Sequence, residues 1–209
     1  MKVTPSKENI LKRIREALSH PVDQPFPASE GNQAVFHPPS SELEVEFAEQ
    51  FNKLQGRFIF CLNKQELAFQ VGSLIRKQDW QKVYCQEKKM LDLLSGTIED
   101  RLTDDLGACD VSITGCESLV ARTGTIVMSS ATESGRTSSV FAPIHICIAY
   151  THQLVPDIKD ALIQLKNRYG QDLPSLFTFA TGPSRTADIE KTLVVGVHGP
   201  GEVFLFLVD

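Results

Sequence analysis

Several side chains that could form an acid–base or anion-binding site lie beside glycine-containing turns in the second half of the chain. Glu117 could act as a general base or a nucleophile, and His198 could carry a proton near pH 7. Arg185 could clamp a carboxylate through its planar guanidinium. These residue types predict a binding site for a small carboxylate or phosphate, but they do not specify a reaction.

Each of these three side chains also has a structural interpretation. A glutamate in the first turn of a helix complements the helix dipole, and a short helix is predicted for residues 117–122. His198, beside glycines, would serve equally well to hydrogen-bond a loop carbonyl. Arg185 and Asp188 would form an ion pair on a helix surface. The sequence leaves both interpretations open for each residue.

The turn at residues 181–184 predicts the geometry that an anion site requires. It follows an apolar run, residues 176–180, with the composition of a buried strand, and it precedes a helix predicted to begin near Ser184. Backbone N–H groups at this position would lie beside the positive end of the helix and would favour an anion. The alternative is a tight turn of an α/β domain that binds no ligand.

Three loops are predicted to follow the carboxyl ends of strands, where ligands of open α/β sheets bind, and they would form one cleft if they converge. These loops are residues 114–117, 182–186 and 198–201. The turn at residues 123–125 opens a strand instead, but its small residues would let a ligand approach the backbone. The predicted ligand contacts are Thr123, Gly124, Thr125, Gly182, Ser184, Arg185, Thr186 and Gly199.

Helices and strands alternate from about residue 41 to residue 209. Asn63 and Glu66 have the spacing of a capping box, as do Ser41 and Glu44. Strands are predicted at residues 57–62, 83–85, 111–114, 125–129, 144–150, 176–180, 193–197 and 202–208. Because the longer strands are continuously apolar, we predict an open, mostly parallel sheet with helices on both faces. His145, inside one such strand, is predicted to be a hydrogen-bonded core histidine.

Residues 1–40 are predicted to stand apart from this domain. Residues 6–19 carry one apolar stripe at helical spacing, and residues 20–40 contain five prolines and little periodicity. The sequence therefore predicts an N-terminal helix on a proline-rich tether, followed by an α/β domain over residues 41–209. Whether the helix packs on its own domain or on a partner subunit, as in a homo-oligomer, is left open.

Composition argues against several classes of partner. The chain has 209 residues and a formal net charge of −5, and it has no dense block of lysine and arginine. A nucleic-acid backbone or an anionic membrane is therefore an unexpected partner. The sequence has no apolar run long enough to span a bilayer and no apolar centre of a signal peptide near its start. We expect a cytoplasmic location.

The cysteines predict no redox cofactor. The chain has five, at positions 61, 85, 109, 116 and 147, and their spacing matches neither a zinc site nor an iron–sulfur cluster. Most lie in apolar runs, where cysteine behaves as a small buried hydrophobe. We therefore expect no bound metal and no cofactor, although ligation by cysteines from two chains is an open alternative.

Two sequence blocks resemble a known family. The segment TGPSRTADIE, followed closely by GVHGPGE, resembles the C-terminal signature of the LUD-domain proteins of lactate utilisation, in their short, LutC-like branch. The block from Cys116 to Thr125, with a glutamate followed by Ala-x-Thr-Gly-Thr, resembles the other signature of the family. The resemblance covers roughly residues 111–209. It implies the architecture shared by NagB, ribose-5-phosphate isomerase and CoA-transferases.

The resemblance also implies a function. Members of the LUD-domain family take part in the oxidation of L-lactate to pyruvate together with iron–sulfur proteins. This chain resembles the family component that has no iron–sulfur cluster. One hypothesis is therefore a non-redox subunit that binds iron–sulfur partners and a small carboxylate or phosphate. The alternative is a stand-alone enzyme that acts on a phosphorylated or CoA-linked small molecule. The absent cluster pattern favours the first.

Overall fold

The chain divides into two units, Met1–His37 and Pro38–Asp209. The computed structural model describes residues 5–19, 42–186 and 194–209. In the first unit, helix α1 (Pro5–Ser19) agrees with the predicted helix, and its apolar stripe is exposed at Ile10, Ile14 and Leu18. The proline-rich tether lies outside the described residues, and the boundary at residue 40 stays a prediction.

The second unit alternates helices and strands. Its α-helices are α2 (Leu43–Lys53), α3 (Lys64–Lys77), α4 (Lys88–Leu93), α5 (Ser138–Phe141) and α6 (Ile158–Tyr169). Its longer strands are β1 (Arg57–Cys61), β2 (Val83–Cys85), β3 (Val111–Thr114), β4 (Ser118–Val120), β5 (Thr125–Ser129), β6 (Ile144–Tyr150), β8 (Phe177–Ala180) and β11 (Glu202–Val208). Three two-residue strands complete the set, β7 (Leu154–Val155), β9 (Arg185–Thr186) and β10 (Val194–Val195).

The main sheet has five strands in the order β1-β11-β6-β3-β2, and every neighbouring pair is parallel. Side chains of β11 alternate between two apolar layers. Phe204 and Phe206 pack on the α3 side, whereas Leu205 and Leu207 pack on the side of α2 and the second sheet. A strand buried on both faces needs apolar residues at every position. The predicted parallel sheet with helical cover is therefore confirmed.

A second sheet, in the order β7-β4-β5-β8, lies against the main sheet. Leu119 and Ile126 of this sheet share a core with Leu205 of β11. Its opposite face places Val120 and Val127 against α6. The domain therefore stacks α3, the main sheet, the second sheet with α2, and α6. The carboxyl end of β3 leads directly from the first sheet into the second.

Local sequence explains where the helices begin. Asn63 caps α3, because its Oδ1 accepts from Glu66 N at 2.9 Å while Glu66 Oε2 accepts from Leu62 N at 2.8 Å. The N-cap predicted at Asn63 is confirmed, whereas Glu66 bonds the N–H group of the residue before the cap and not that of Asn63 itself. The capping arrangement predicted from Ser41 cannot be compared, because Ser41 lies outside the described residues. The N-cap residue of α2 is Glu42.

The helix predicted for residues 117–122 is wrong. Residues 118–120 form β4, and residues 121–123 form a single 3-10 turn. Successive side chains here, Leu119 and Val120, are both buried in different cores on opposite faces. Burial with a period of two is typical of a strand, and Glu117 N accordingly donates to Val127 O of β5 at 2.7 Å.

Predictions around residue 184 also need correction. Arg185 and Thr186 form β9, which pairs antiparallel with β10, and no helix begins at Ser184. The rest of the predicted helix, residues 187–193, falls outside the described residues. Of the predicted strand 193–197, the described residues form only the exposed pair Val194–Val195. The predicted strand 176–180 exists as β8, but it is a half-exposed edge strand rather than a buried one.

Gly124 should be irreplaceable for steric reasons. Its φ is 59°, and an added Cβ would lie 2.6 Å from the backbone nitrogen of Phe51. We predict that Gly124→Ala lowers the free energy of unfolding by about 3 kcal/mol, combining the left-handed strain with the clash. Gly135→Ala is the matched control, since Gly135 has a φ of 65° and open space around it. In a urea titration, Gly135→Ala should lower the free energy of unfolding by only about 1 kcal/mol.

His145 is fully buried in β6, and its Nε2 lies 2.8 Å from Thr114 Oγ1. Because the Thr114 hydroxyl donates to Gly115 O at 2.9 Å, the imidazole must supply the proton of the other bond. The predicted core histidine is confirmed. Burial lowers the pKa of His145 from 6.5 to about 4, because the interior disfavours the charged ring.

This shifted pKa predicts a loss of stability in acid. Below pH 6.5 the unfolded chain binds a proton at His145, whereas the folded chain does so only near pH 4. Stability from this group is present above pH 6.5 and falls by roughly 3 kcal/mol as the pH drops to 4. Urea titrations should show a smaller loss over this range for His145→Gln. An equal loss would contradict the assignment.

Candidate functional site

A cavity of about 450 Å³ lies at the carboxyl end of the main sheet. This is the edge where ligands bind in open α/β sheets. Segments that follow β2, β3 and β6 contribute to its wall, together with the end of α6. Its lining residues are Glu87, Lys89, Met90, Gly115, Cys116, Glu117, Thr132, Ile148, Tyr150, His152, Gln153, Arg168 and Tyr169.

Glu117, the predicted base or nucleophile, lines this cavity and is only 4% exposed. Its Oε1 accepts from Ser129 Oγ and from Tyr169 Oη, each at 2.5 Å. Its Oε2 accepts from Nη1 of Arg168. Because no helix begins at Glu117, the helix-dipole interpretation of this residue is wrong. The carboxylate is instead held by three donors from two different elements.

The Glu117 environment also affects Tyr169. Burial raises the pKa of the Tyr169 hydroxyl, and its hydrogen bond to Glu117 raises it further. A hydroxyl that keeps its proton can go on donating to the carboxylate. Tyr169 also packs on Phe177 of β8, with ring centroids 6.2 Å apart, which fixes the ring against the second sheet. The donor is therefore positioned in advance of any ligand.

Glu87, a residue that no sequence motif marks, is a second buried carboxylate in the cavity. It is 9% exposed, and its Oε1 accepts from Gly115 N at 3.0 Å and from Ser134 Oγ at 2.6 Å. Its position two residues after β2, at the carboxyl end of a parallel strand, is the signal that could have identified it. Gly115 immediately follows β3, so the backbone bond joins two neighbouring strand ends.

Arg168 and Lys89 bring positive charge to the same cavity. The side chain of Arg168 is 58% exposed and uses one of its five N–H groups on Glu117. Lys89 is exposed and forms no ion pair with the described residues. The cavity thus combines buried acceptors with exposed cations. That arrangement can bind an anion that also carries hydrogen-bond donors.

The other predicted residues lie in two places outside this cavity. Thr123, Gly124 and Thr125 pack beside the C-terminal end of α2, where Thr123 Oγ1 lies 2.7 Å from Thr125 Oγ1. Gly182 packs on the same end, because an added Cβ would lie 2.9 Å from Leu54 O. Nη2 of Arg185 donates to Leu54 O at 2.5 Å.

Ser184, His198 and Gly199 lie together at the amino end of β11. Ser184 N donates to Pro200 O at 2.9 Å, and an added Cβ on Gly199 would lie 2.9 Å from Ser184 Cβ. His198 is exposed. The N–H group of Ser184 is therefore already used by the protein, contrary to the geometry predicted for an anion site.

The three candidate loops do not converge on one cleft. The loop 114–117 follows the carboxyl end of β3, whereas the loop 198–201 precedes the amino end of β11 in the same parallel sheet. Glu117 and His198 therefore lie at opposite ends of the sheet. Thr186 belongs to the hairpin of β9 and β10. A ligand role for each of these residues stays a prediction.

The residues of both sequence blocks match a family. The LUD domain family matches residues 45–208, which is most of the chain. The chain belongs to the LUD-domain family. Among relatives, "Lactate utilization protein C" of Halalkalibacterium halodurans is 35% identical over 125 residues, covering 59% of this chain and 54% of the relative. The protein of the same name from Bacillus subtilis is 39% identical over 102 residues, covering 48% of this chain and 42% of the relative.

The chain thus spans about half the length of the curated relatives that it matches. A solved structure supports the fold of this LUD domain. The crystal structure of a DUF162 family protein from Deinococcus radiodurans superposes with a TM-score of 0.63, covering 82% of this chain and all of that one, at 18% identity. At this identity the likeness concerns the fold alone.

Two further observations describe the LUD domain. Within the described residues, no group of three or more His, Cys, Asp or Glu side chains is positioned to hold a metal ion. None of the helices in this part of the chain is long and apolar enough to cross a membrane. Arg168 and Tyr169 were also missed, because no local motif marks either residue.

Substitution of Arg185 separates a structural role of this residue from a ligand-binding role. Arg185→Ala removes a guanidinium that donates to Leu54 O and to Gln55 Oε1 at the end of α2. If Arg185 only caps α2, the variant should lose about 1 kcal/mol of stability and bind small anions like the parent protein. If it clamps a carboxylate, calorimetry should show weaker binding instead. We expect the first outcome from these contacts.

Proposed function

We propose that this LUD domain is a lactate-utilisation component. In this role it supports the oxidation of L-lactate to pyruvate together with iron–sulfur partner proteins and binds a small carboxylate in the cavity around Glu117. The role is supported by the match to relatives that carry the name lactate utilization protein C. The observation that carries the ligand is the pairing of Arg168 with a buried carboxylate inside a cavity at the carboxyl end of the sheet.

Arg168 suits a carboxylate ligand because its guanidinium is a planar fork. One N–H group is fixed on Glu117, which leaves the other donors of the exposed side chain for a second carboxylate. Glu117 thus positions the fork and compensates its charge before a ligand arrives. Pre-organisation of this kind reduces the entropy that binding must overcome.

The cysteines support the involvement of partner proteins in electron transfer. Oxidation of lactate to pyruvate removes two electrons, and cysteine thiolates are the ligands of iron–sulfur clusters. Four of the five cysteines are buried, and three of these, Cys61, Cys85 and Cys147, lie in the apolar cores. Such cysteines favour a chain that cooperates with iron–sulfur proteins over one that assembles a cluster from its own residues.

An alternative function is a stand-alone enzyme that acts on a phosphorylated or CoA-linked small molecule. Two more cavities, of about 450 and 430 Å³, adjoin the first and share Lys89 with it. The combined space exceeds what a three-carbon acid fills, which favours a larger ligand. In that case Glu117 would serve as the general base or nucleophile. Turnover of a CoA thioester or a sugar phosphate by the purified chain would support this alternative.

Calorimetry with Arg168→Met tests the proposed function. L-Lactate, pyruvate, phosphate and a CoA ester would be titrated into the parent chain and the variant. We expect a carboxylate to bind the parent and to bind Arg168→Met at least about 10-fold more weakly, because charge-assisted hydrogen bonds are lost. Arg136→Met is the matched control, since Arg136 donates to Ser175 and does not line the cavity.

A growth assay tests the cellular role. A bacterium whose own lactate utilization protein C gene is deleted should regain growth on L-lactate when this chain is supplied, and Arg168→Met should restore it poorly. If no carboxylate binds, or if the variant binds and complements as well as the parent, the cavity is not the site of lactate utilisation.

A further inference from the structure

Glu87 holds an acceptor that the protein itself does not use. The residue is 9% exposed and lines the cavity that also contains Glu117. Both donors to this carboxylate, Gly115 N and Ser134 Oγ, bond to Oε1. Oε2 accepts no hydrogen bond from the residues that the structure describes.

An unpaired carboxylate oxygen in a nearly buried residue requires a donor from solvent or from a ligand. Oε2 is not among the buried side-chain atoms that lack a partner in the described residues, so it faces the open cavity, where water or a ligand can donate to it. A hydroxyl group is such a donor. A ketone oxygen is an acceptor, so it would leave Oε2 unpaired and would also be repelled by its charge.

Gly115 keeps this oxygen accessible. An added Cβ at Gly115 would lie 2.8 Å from Glu87 Oε2 and 3.2 Å from Met90 Cε. Any larger residue would therefore occupy the space beside the free oxygen. The glycine follows β3 directly, at the floor of the cavity, and its own N–H group fixes the other oxygen of Glu87.

Cations complete the arrangement. Lys89, two residues after Glu87, and Arg168 both line the same cavity. Neither the Lys89 ammonium nor the unused N–H groups of Arg168 bond to described residues. An anionic group near Lys89 or Arg168 would thus lie in the same cavity as a free carboxylate acceptor.

We infer that the cavity selects hydroxy acids over keto acids, with Glu87 accepting the hydroxyl and Lys89 or Arg168 binding the carboxylate. This inference rests on the proposed function, because it assigns the ligand of the same cavity. Its volume of about 450 Å³ also admits acids with more than one hydroxyl. Sites that hydrogen-bond a substrate hydroxyl reject analogues without it strongly, because their polar groups are then left unpaired.

The test compares ligands that differ in one group. L-Lactate, glycerate, pyruvate and propionate would be titrated calorimetrically into the parent chain and into Glu87→Gln. The parent should bind a hydroxy acid at least about 10-fold more tightly than pyruvate or propionate. Glu87→Gln should lose this preference, because its amide can also donate to a ketone. Asp104→Asn is the control, since it also removes one negative charge but lines none of the three adjoining cavities.

A second variant tests the inference if Glu87→Gln does not fold. Gly115→Ala fills the space beside Oε2 without removing the carboxylate, and it should also reduce the preference for hydroxy acids while circular dichroism stays unchanged. Equal affinity of the parent for lactate and pyruvate would overturn this inference and leave the proposed function intact. Failure of every carboxylate to bind would contradict both.

Discussion

Burial of the Glu117 carboxylate is the constraint on which the candidate site depends. Removing a charge from water costs several kcal/mol unless donors replace the lost solvation. Ser129 of β5 and the last two residues of α6 provide those donors, so the second sheet and its helix must be in place before the charge is tolerated. The site at the carboxyl end of the main sheet therefore depends on the packing of the second sheet and α6.

The two sheets position different residues of the cavity. The parallel sheet brings Glu87 and Gly115 together, because its strand ends lie side by side. The second sheet fixes two residues of the cavity, because Ser129 of β5 donates to Glu117 and Phe177 of β8 packs on Tyr169. In the two family blocks, Gly124, Gly182 and Arg185 pack on the C-terminal end of α2. Much of what a signature encodes in this domain is close backbone packing.

The fold could be predicted from the sequence far better than the site. Strands buried on both faces, such as β6 and β11, have a continuous apolar composition, and the sequence predicts them correctly. Short segments fail the same analysis, since Ser118–Val120 is too brief for a helix and a strand to differ in pattern. Glu117 was identified from its residue type. Its partners were not, because Arg168 lies 51 residues away and no local pattern records that contact.

The cysteines have a practical consequence for following the site in solution. Burial raises the pKa of Cys61 to about 11 and of Cys85 to about 12, and it raises that of Cys147 as well, so these thiols rarely form the reactive thiolate. Cys109 is also buried, whereas Cys116 is partly exposed and lines the cavity. A maleimide dye would therefore label the folded domain chiefly at one position. That position lies inside the cavity, so the rate of labelling would report directly on its occupancy.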